Sequence, residues 1–378
     1  MVFEVYQPDG TPLGIVERYQ SMQWTRRLYE PGEFEMELPA TPEHIDLLRD
    51  GRLIIRDRAD GDAGIIERIE LEREPEGAMM TVSGRMLASA LERRVVLQEE
   101  ALHGAAETVM LQLISDNCIH VDAQRQIPRM SIPATQGRGE VIDEQKAHGK
   151  SLLKVIESIS EEQALGFRIR FPSWEVEIVR GEDRSVDQTQ NPWVILSVES
   201  ETLVTASYAH DSAKSYNVAT VYMNLSSVRV GDMQLESFTR VVGEASGLER
   251  REVYINASPK DAVVTVEAGD PDQGGGTITT TDYAAGALNV GRQALARNSA
   301  EDVIDGQTSV SDALRLRRDY DLGDIVTVES REWGIRQSAR ITETVEIYDR
   351  EGERAEVAFG NRKSIRRLLE RGEETWQN

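Results

Sequence analysis

Alternation of apolar and polar residues with a period of two runs along much of this chain, the mark of strands with one buried face. Phe3-Glu-Val-Tyr and Gly14-Ile-Val-Glu-Arg-Tyr flank a Pro8-Asp9-Gly10 turn, the punctuation of a hairpin. Trp24-Thr-Arg-Arg-Leu-Tyr leads to a second turn at Glu30-Pro31-Gly32, after which Phe34-Glu-Met-Glu-Leu alternates apolar and acidic positions. Thr41-Pro42 then opens a short helix through Ile45, Leu47 and Leu48, with proline in its first turn.

One strand pattern occurs twice. Residues 51–84 read as strand (Leu53-Ile-Ile-Arg), turn, strand (Gly64-Ile-Ile-Glu-Arg-Ile-Glu-Leu), a turn with Gly77, then strand (Met79-Met-Thr-Val). Residues 323–360 read the same way, through Ile325-Val-Thr-Val, the long stretch from Gly334 to Ile347, a turn with Gly352, and Ala355-Glu-Val-Ala-Phe. Both copies show Gly-Ile at the entry to the middle strand, and the match is carried further by Arg68-Ile69-Glu70 against Arg340-Ile341-Thr342-Glu343. Two copies of one small β-barrel built from meandering strands would give this pattern.

Between the copies the period changes. Residues 104–115 place Val109, Leu111, Leu113 and Ile114 on a broad apolar helical face, and Ser151 caps a helix carrying Leu152, Val155, Ile156 and Ile159. Phe167-Arg-Ile-Arg-Phe and Trp174-Glu-Val-Glu-Ile-Val return to alternation, while 121–149 reads as a long excursion rich in Pro, Gly and Gln. Further strands follow at 193–196, 203–208, 217–222, 228–239 and 251–255. A loop at 270–276 comes next, then a helix from Tyr283 to Asn298 capped by Asp282, and a short amphipathic helix at 364–371.

Composition narrows the function classes. Of 378 residues, 39% are hydrophobic and 29% charged, ordinary values for a globular protein long enough for two to four domains. No stretch approaches the roughly 20 apolar residues of a membrane span. The start, Met1-Val-Phe-Glu-Val-Tyr, lacks the basic and apolar regions of a secretory signal, and the single cysteine, Cys118, allows no internal disulfide, so synthesis in a cytoplasm is expected. A net charge of −23 excludes a phosphate-tracking nucleic-acid binder. It suits a solvated acidic surface first, and as the sharper alternative a conduit that must not hold DNA in transit.

The residues show no catalytic, cofactor or metal site, and no enzyme activity is expected. His210-Asp211-Ser212 contains the residue types of a nucleophilic triad, but three adjacent residues on an extended segment cannot converge on one proton path. Cys118 and His120 could offer two metal ligands, yet there is no second cysteine, and His44, His103 and His148 sit in unrelated contexts. Glu161-Glu162 and Glu373-Glu374 are the sort of acidic pair that an acid-rich chain produces by accident. Gly274-Gly275-Gly276 lacks the Lys-Ser/Thr of a phosphate loop and leads into Thr277-Ile-Thr-Thr-Thr instead of a helix.

Several segments, in their order and spacing, resemble the siphophage tail-hub or tail-tip family, which is similar in fold to the baseplate hubs of contractile tails. They are Phe3 to Tyr6 with Trp24, and Tyr29-Glu-Pro-Gly-Glu-Phe-Glu-Met-Glu-Leu-Pro39. Gly64-Ile-Ile-Glu follows, leading to Val82-Ser-Gly-Arg-Met-Leu and Glu92-Arg-Arg. Later come Tyr216-Asn-Val-Ala-Thr-Val-Tyr222 and Asp319-Tyr-Asp-Leu-Gly-Asp-Ile-Val-Thr-Val, with Trp333-Gly-Ile, Arg340-Ile-Thr-Glu and Phe359-Gly360 behind them. No single motif is diagnostic, since Leu-Gly-Asp-Ile-Val is simply a turn into a strand.

The resemblance implies a mixed β and α+β fold: two similar small β-barrels with an intervening α/β domain, three chains forming a pseudo-sixfold ring that continues the tail tube. It places the first barrel at 1–98, completed by about 193–212, and the second at 213–277, completed by 319–362. The α/β domain is then 99–191 joined by about 278–318, with 363–378 a C-terminal short helix and tail. The implied partners are two further copies, a distal tail ring protein, fibre or spike and receptor-binding proteins, and a tape-measure protein, with DNA only in transit. The implied place is the virion tail tip. Many relatives continue into a lytic or receptor-binding extension; this chain stops at Asn378, so any such activity is expected of a docked protein or not at all. Carboxylates near Glu67, Glu70, Glu343 and Glu346 would line a lumen that repels phosphate. The alternatives are a cell-wall-degrading or carbohydrate-binding tail protein, and the hub of a phage-like contractile injection particle.

Overall fold

Strand alternation governs the first part of the chain. The computed structural model describes residues 1–56, 60–75, 77–145, 147–213, 215–230, 233–259, 263–268, 276–281, 283–298, 301–308 and 314–360. Strands β1 (Phe3–Tyr6) and β2 (Pro12–Val16) form the expected hairpin, followed by β3 (Ser21–Arg27) and β4 (Glu33–Pro39). In β4 the side chains of Phe34, Met36 and Leu38 are buried, and Glu33, Glu35 and Glu37 lie on the opposite face. Helix α1 (Pro42–Leu47) begins where Thr41 Oγ1 accepts the His44 N–H, as its sequence requires. Strands β5 (Leu53–Ile55), β6 (Ala63–Glu74) and β7 (Gly77–Met86) make an antiparallel meander, and β7 pairs with β4.

The next stretch builds a helical layer. Strand β8 (Leu102–Ala105) leads into α2 (Ala106–Ile114), and β9 (Val141–Gln145) returns from the irregular excursion to pair with β8. Helix α3 (Leu152–Gln163) starts at Ser151, although the serine hydroxyl makes no bond to the helix. The hairpin β10 (Gly166–Arg170) and β11 (Glu175–Val179) completes the layer. Val109, Leu113, Ile114, Leu152, Ile156, Phe167 and Ile178 form one core with Leu53, Ile55 and Ile65 of the meander. A second core, Phe3, Trp24, Phe34, Met36, Ile66, Val82 and Tyr348, lies inside the sheet.

Strands β12 (Ile195–Ser197) and β13 (Leu203–Asp211) follow. Residues 208–303 contribute to a separate compact unit. In it β14 (Val218–Met223) lies between β17 (Phe238–Val242) and β18 (Glu252–Ala257), parallel to β18, with a small β15 (Arg229–Val230) and β16 (Met233–Gln234) hairpin. Strands β19 (Val263–Ala268) and β20 (Gly276–Thr281) pair, and α4 (Tyr283–Arg297) packs Ala287 and Val290 against Ala219, Val221 and Val242. The family resemblance places 213–277 in the second β-barrel and about 278–318 with the α/β domain. Here the sheet residues 218–257 and helix α4 share one core, because the apolar face of α4 meets that of β14. Most of the 270–276 loop, Asp282 and the 364–371 segment lie outside the described residues.

The chain ends in β21 (Glu301–Thr308), β22 (Ile325–Ser330), β23 (Ile335–Asp349) and β24 (Gly352–Phe359). Strands β22, β23 and β24 are a meander again, and it matches β5–β6–β7 bond for bond. Glu74 faces Gly77 across the tip of one, Asp349 faces Gly352 across the other. Ile66 opposes Gly84 and Arg68 opposes Ser83, with Glu67 bulged out; Ile341 opposes Phe359 and Glu343 opposes Ala358, with Thr342 bulged out. Gly51 N–H donates to Ile66 O at 2.8 Å and Ile66 N–H to Arg52 O at 2.9 Å, and Gly323–Ile341 and Ile341–Asp324 repeat both distances. Both leading glycines need a left-handed φ, +76° and +95°. Outward from the meander, β4 lies on β7 as β21 lies on β24, Glu35 opposing Ser83 as Asp305 opposes Ala358.

The duplication is therefore a five-strand unit, β3-β4-β7-β6-β5 in one copy and β13-β21-β24-β23-β22 in the other. The short sequence matches that suggest it align differently. Arg340-Ile341 takes the place of Ile65-Ile66, so Arg68-Ile69 corresponds to Glu343-Thr344. The architecture is a sheet-rich α+β fold, and among the described residues no sheet closes into a barrel.

The bulge in β6 depends on Gly84, where an added Cβ would come 1.8 Å from Ile65 O. Gly84→Ala should lower stability by about 1–3 kcal/mol, read as an earlier midpoint in chemical denaturation followed by circular dichroism.

Candidate functional site

The two copies meet where β3 pairs with β23, Arg27 opposite Glu343 through Met22 opposite Tyr348. Strand alternation sends Arg26 and Arg27 to opposite faces. On one face Arg27 Nε lies 2.8 Å from the buried Glu343 carboxylate. On the other, Met22, Trp24 and Arg26 point inward, so a guanidinium stands in line with core side chains and is only 5% exposed.

A buried charge is tolerated when paired and hydrogen-bonded, and Arg26 finds its partners from distant parts of the chain. Asp321 accepts from Arg26 at 2.6 Å, with Glu346 at 3.8 Å and Asp62 at 4.0 Å. Arg317 reaches Glu346 at 2.8 Å, Asp60 at 2.7 Å and Asp62 at 3.2 Å. Arg56 pairs with Glu346 and Asp60 and donates to the Tyr348 hydroxyl at 2.9 Å, and that hydroxyl donates to Glu346 at 2.9 Å. Arg168, held by Glu177 at 2.9 Å, adds a contact to Asp62 at 3.4 Å. The partners come from β3, the loop after β5, the segment before β22 and β23 itself, with Arg168 and Glu177 added from the hairpin β10–β11. Four arginines and five carboxylates thus bind the first copy to the second.

The electrostatics suit adhesion and leave little room for catalysis. Burial of Glu346 opposes its ionisation, but attraction from Arg317, Arg26 and Arg56 outweighs this and holds the carboxyl below the ordinary range. Asp321 is shifted the same way, burial again being overcome by Arg26. Tyr348 is pushed upward by burial and by neighbouring Glu346. Every acid of the shifted set stays charged near neutrality and the phenol stays neutral, so none is poised to exchange a proton at pH 7. The adjoining cavity, lined by Arg26, Asp62, Phe167 and Arg168 among others, measures about 70 Å³, well below the roughly 300 Å³ at which ligand pockets begin.

The residues singled out from sequence do not converge on a site. His210 and Asp211 are consecutive residues at the end of β13, and Ser212 follows it. The Cys118 thiol is buried within the wide π-helical turn 115–119 that continues α2 and pushed up to about 11 by that burial, while the His120 Nδ1 lies 2.7 Å from Ser115 Oγ. His44 and His148 contact the backbone oxygens of Pro39 and Leu97, and His103 is exposed. Glu161 and Glu162 lie exposed on α3, where Ser158 Oγ donates to Glu162 at 3.3 Å. Glu373, Glu374, Gly274 and Gly275 lie outside the described residues. Among the described residues no group of three or more His, Cys, Asp or Glu is arranged to hold a metal, and no helix is long and apolar enough to cross a membrane.

Two of the four carboxylates expected to line a lumen are placed otherwise. Glu343 and Glu346 are buried against arginines, so their charge is neutralised where it sits. Glu67 is paired with Arg85 at 2.8 Å and Glu70 with Arg68. On the polar face of β4, Glu33 is paired with Arg27 at 2.5 Å, while Glu35 and Glu37 lie beside it on the same face. The arginines of the joint escaped sequence analysis, although Arg26 in line with Met22 and Trp24 was a legible signal: a cation on the apolar side of a strand needs a buried acid.

The profile of the siphovirus ReqiPepy6 Gp37-like protein family matches residues 2–361. No curated protein matches the chain in sequence. Among solved structures, the 43 kDa tail protein of prophage MuSo2 from Shewanella oneidensis is similar at TM-score 0.60 and 12% identity, covering 96% of this chain and 98% of that one. The tail protein from Neisseria meningitidis MC58 follows at 0.57 and 13%, covering 95% and 96%. Prophage tail protein gp18 from Listeria monocytogenes EGD-e stands at 0.56 and 12%, covering 100% of both chains. At these identities the likeness is one of fold.

Glu346→Gln leaves Arg26, Arg56 and Arg317 short of a buried counter-charge and should cost about 3–5 kcal/mol at pH 7. Because the folded pKa values of Glu346 and Asp321 lie below their unfolded ones, their contribution is present above the ordinary carboxylate range and is lost as pH falls through the folded values. Denaturant midpoints of the native chain should therefore drop most steeply below about pH 4, and the Glu346→Gln variant should show a shallower drop.

Proposed function

We propose, for a chain that belongs to the siphovirus ReqiPepy6 Gp37-like protein family, a structural and non-enzymatic role as the hub of a phage tail tip. The observation that supports this reading is the duplicated five-strand unit, alike in strand order throughout and in register, bulge and turn across four of its strands, joined within one chain by β3 and β23. Three such chains would present six similar units, allowing a three-fold tip to continue a six-fold tube. Each unit would act as a small barrel-like element closed by its neighbours in the ring. A distal tail ring protein would dock above, a fibre or spike and receptor-binding proteins below, and the end of a tape-measure protein would lie within.

Charge fits the same role. With 66 acidic against 43 basic residues, the chain has no use for phosphate as a bound ligand. The β4 face bearing Glu35 and Glu37 would line the passage and keep DNA moving. The purified chain should assemble into a trimer by native mass spectrometry and show a three-fold ring with a central channel in electron micrographs. It should not retard duplex DNA in gels at physiological salt. A basic channel or tight DNA binding would defeat the reading.

A further inference from the structure

Each middle strand of the duplicated unit has an edge with two slots end to end. On β23 the first slot, before the bulge at Thr342, holds β22, and the second, from Glu343 to Tyr348, holds β3 of the other copy. On β6 the first slot holds β5, up to the equivalent bulge at Glu67. The second slot, Arg68 to Glu74, pairs on that edge with no strand among the described residues.

The difference shows in exposure. Ile69 and Leu71 stand 36% and 56% exposed, whereas their counterparts Thr344 and Glu346 are 0% and 4% exposed under β3. An open strand edge bearing two large apolar side chains is a template for another strand. The chain also names the strand that fits. In the second copy the place of β3 is taken by β13, which stands last on its side of the sheet.

We propose that the second slot of β6 receives β13 of another copy of this chain, repeating between molecules the joint that β3 makes with β23 within one. The inference rests on the ring reading above and names the contact that would build the ring. Its first five residues, Leu203-Val-Thr-Ala-Ser, are uncharged, and Val204 is 58% exposed, which suits a seat against Ile69 and Leu71. The joint is heterologous: one molecule offers β6 and the next offers β13, so the contact propagates with one sense and closes when the rotation allows. The two joints then differ in chemistry. The internal one is held by a buried ion cluster around Glu346, while the external one has Leu71 at that position and is closed by apolar contact and strand pairing.

The test is the variant Ile69→Lys with Leu71→Lys, both positions being exposed in the single chain, compared with the native chain by native mass spectrometry and thermal melting. The expected result is a native trimer and a variant that melts with the native monomeric fold but stays monomeric at the same concentration. A variant that still forms trimers overturns the joint and leaves the ring reading standing; a native chain that stays monomeric overturns both. Should the variant fold poorly, hydrogen exchange on the native trimer decides. Protection of the 68–73 amides comparable to that of 343–348 supports the joint, and exchange at the rate of an open edge overturns it.

Discussion

The pairing of β3 with β23 is the constraint on which the larger unit depends. It crosses from one copy of a duplicated sheet to the other, and it does so by placing a charged residue, Arg26, where an apolar one would be expected. The penalty of burying that cation is offset only if acids from three separate segments arrive together. A cluster of this kind adds less net stability than apolar packing of the same volume would. What it adds is discrimination, because a β3 seated one residue out of register would aim Arg27 inward and take Arg26 away from Asp62, Asp321 and Glu346.

That discrimination has a use in a chain that contains the same unit twice. Two similar sheets with similar edges could pair wrongly, copy one with itself or with the wrong neighbour. The ion cluster marks one joint as internal. The other slot carries apolar Ile69 and Leu71 flanked by Arg68, Glu70, Glu72 and Arg73, charges that discourage indiscriminate edge pairing while leaving a narrow apolar seat. Assembly order then follows from chemistry: the internal joint forms with the fold, and the external seat is left for another molecule.

Much of the fold was legible. The period-two stretches became strands and the helical spacings at 104–115, 151–160 and 283–298 became helices, because each has one face that must be buried. The duplication was legible too, but through matches that the structure aligns three positions away for Arg-Ile and five for Gly-Ile. Register is set by bulges and by backbone bonds such as Gly51 to Ile66, which leave almost no trace in side-chain identity. The ion cluster was not foreseen, since its members lie as far apart as Arg26 and Glu346 and only the pairing of β3 with β23 brings them together. For the same reason nothing in sequence marks Glu343 and Glu346, three residues apart and so on opposite faces of β23, as acids that are each buried against an arginine. The packing of α4 on β14 rests on flat apolar faces that carry no motif.

The most direct test of the account is a reconstruction of the assembled particle by electron cryomicroscopy with no more than three-fold symmetry applied. The account predicts that the sheet layer nonetheless repeats six times around the axis, with alternating joints built from β3 on β23 and from β13 on β6. A layer with three unrelated pairs of sheets, or with the Arg68–Glu74 edge facing solvent in the ring, would contradict it.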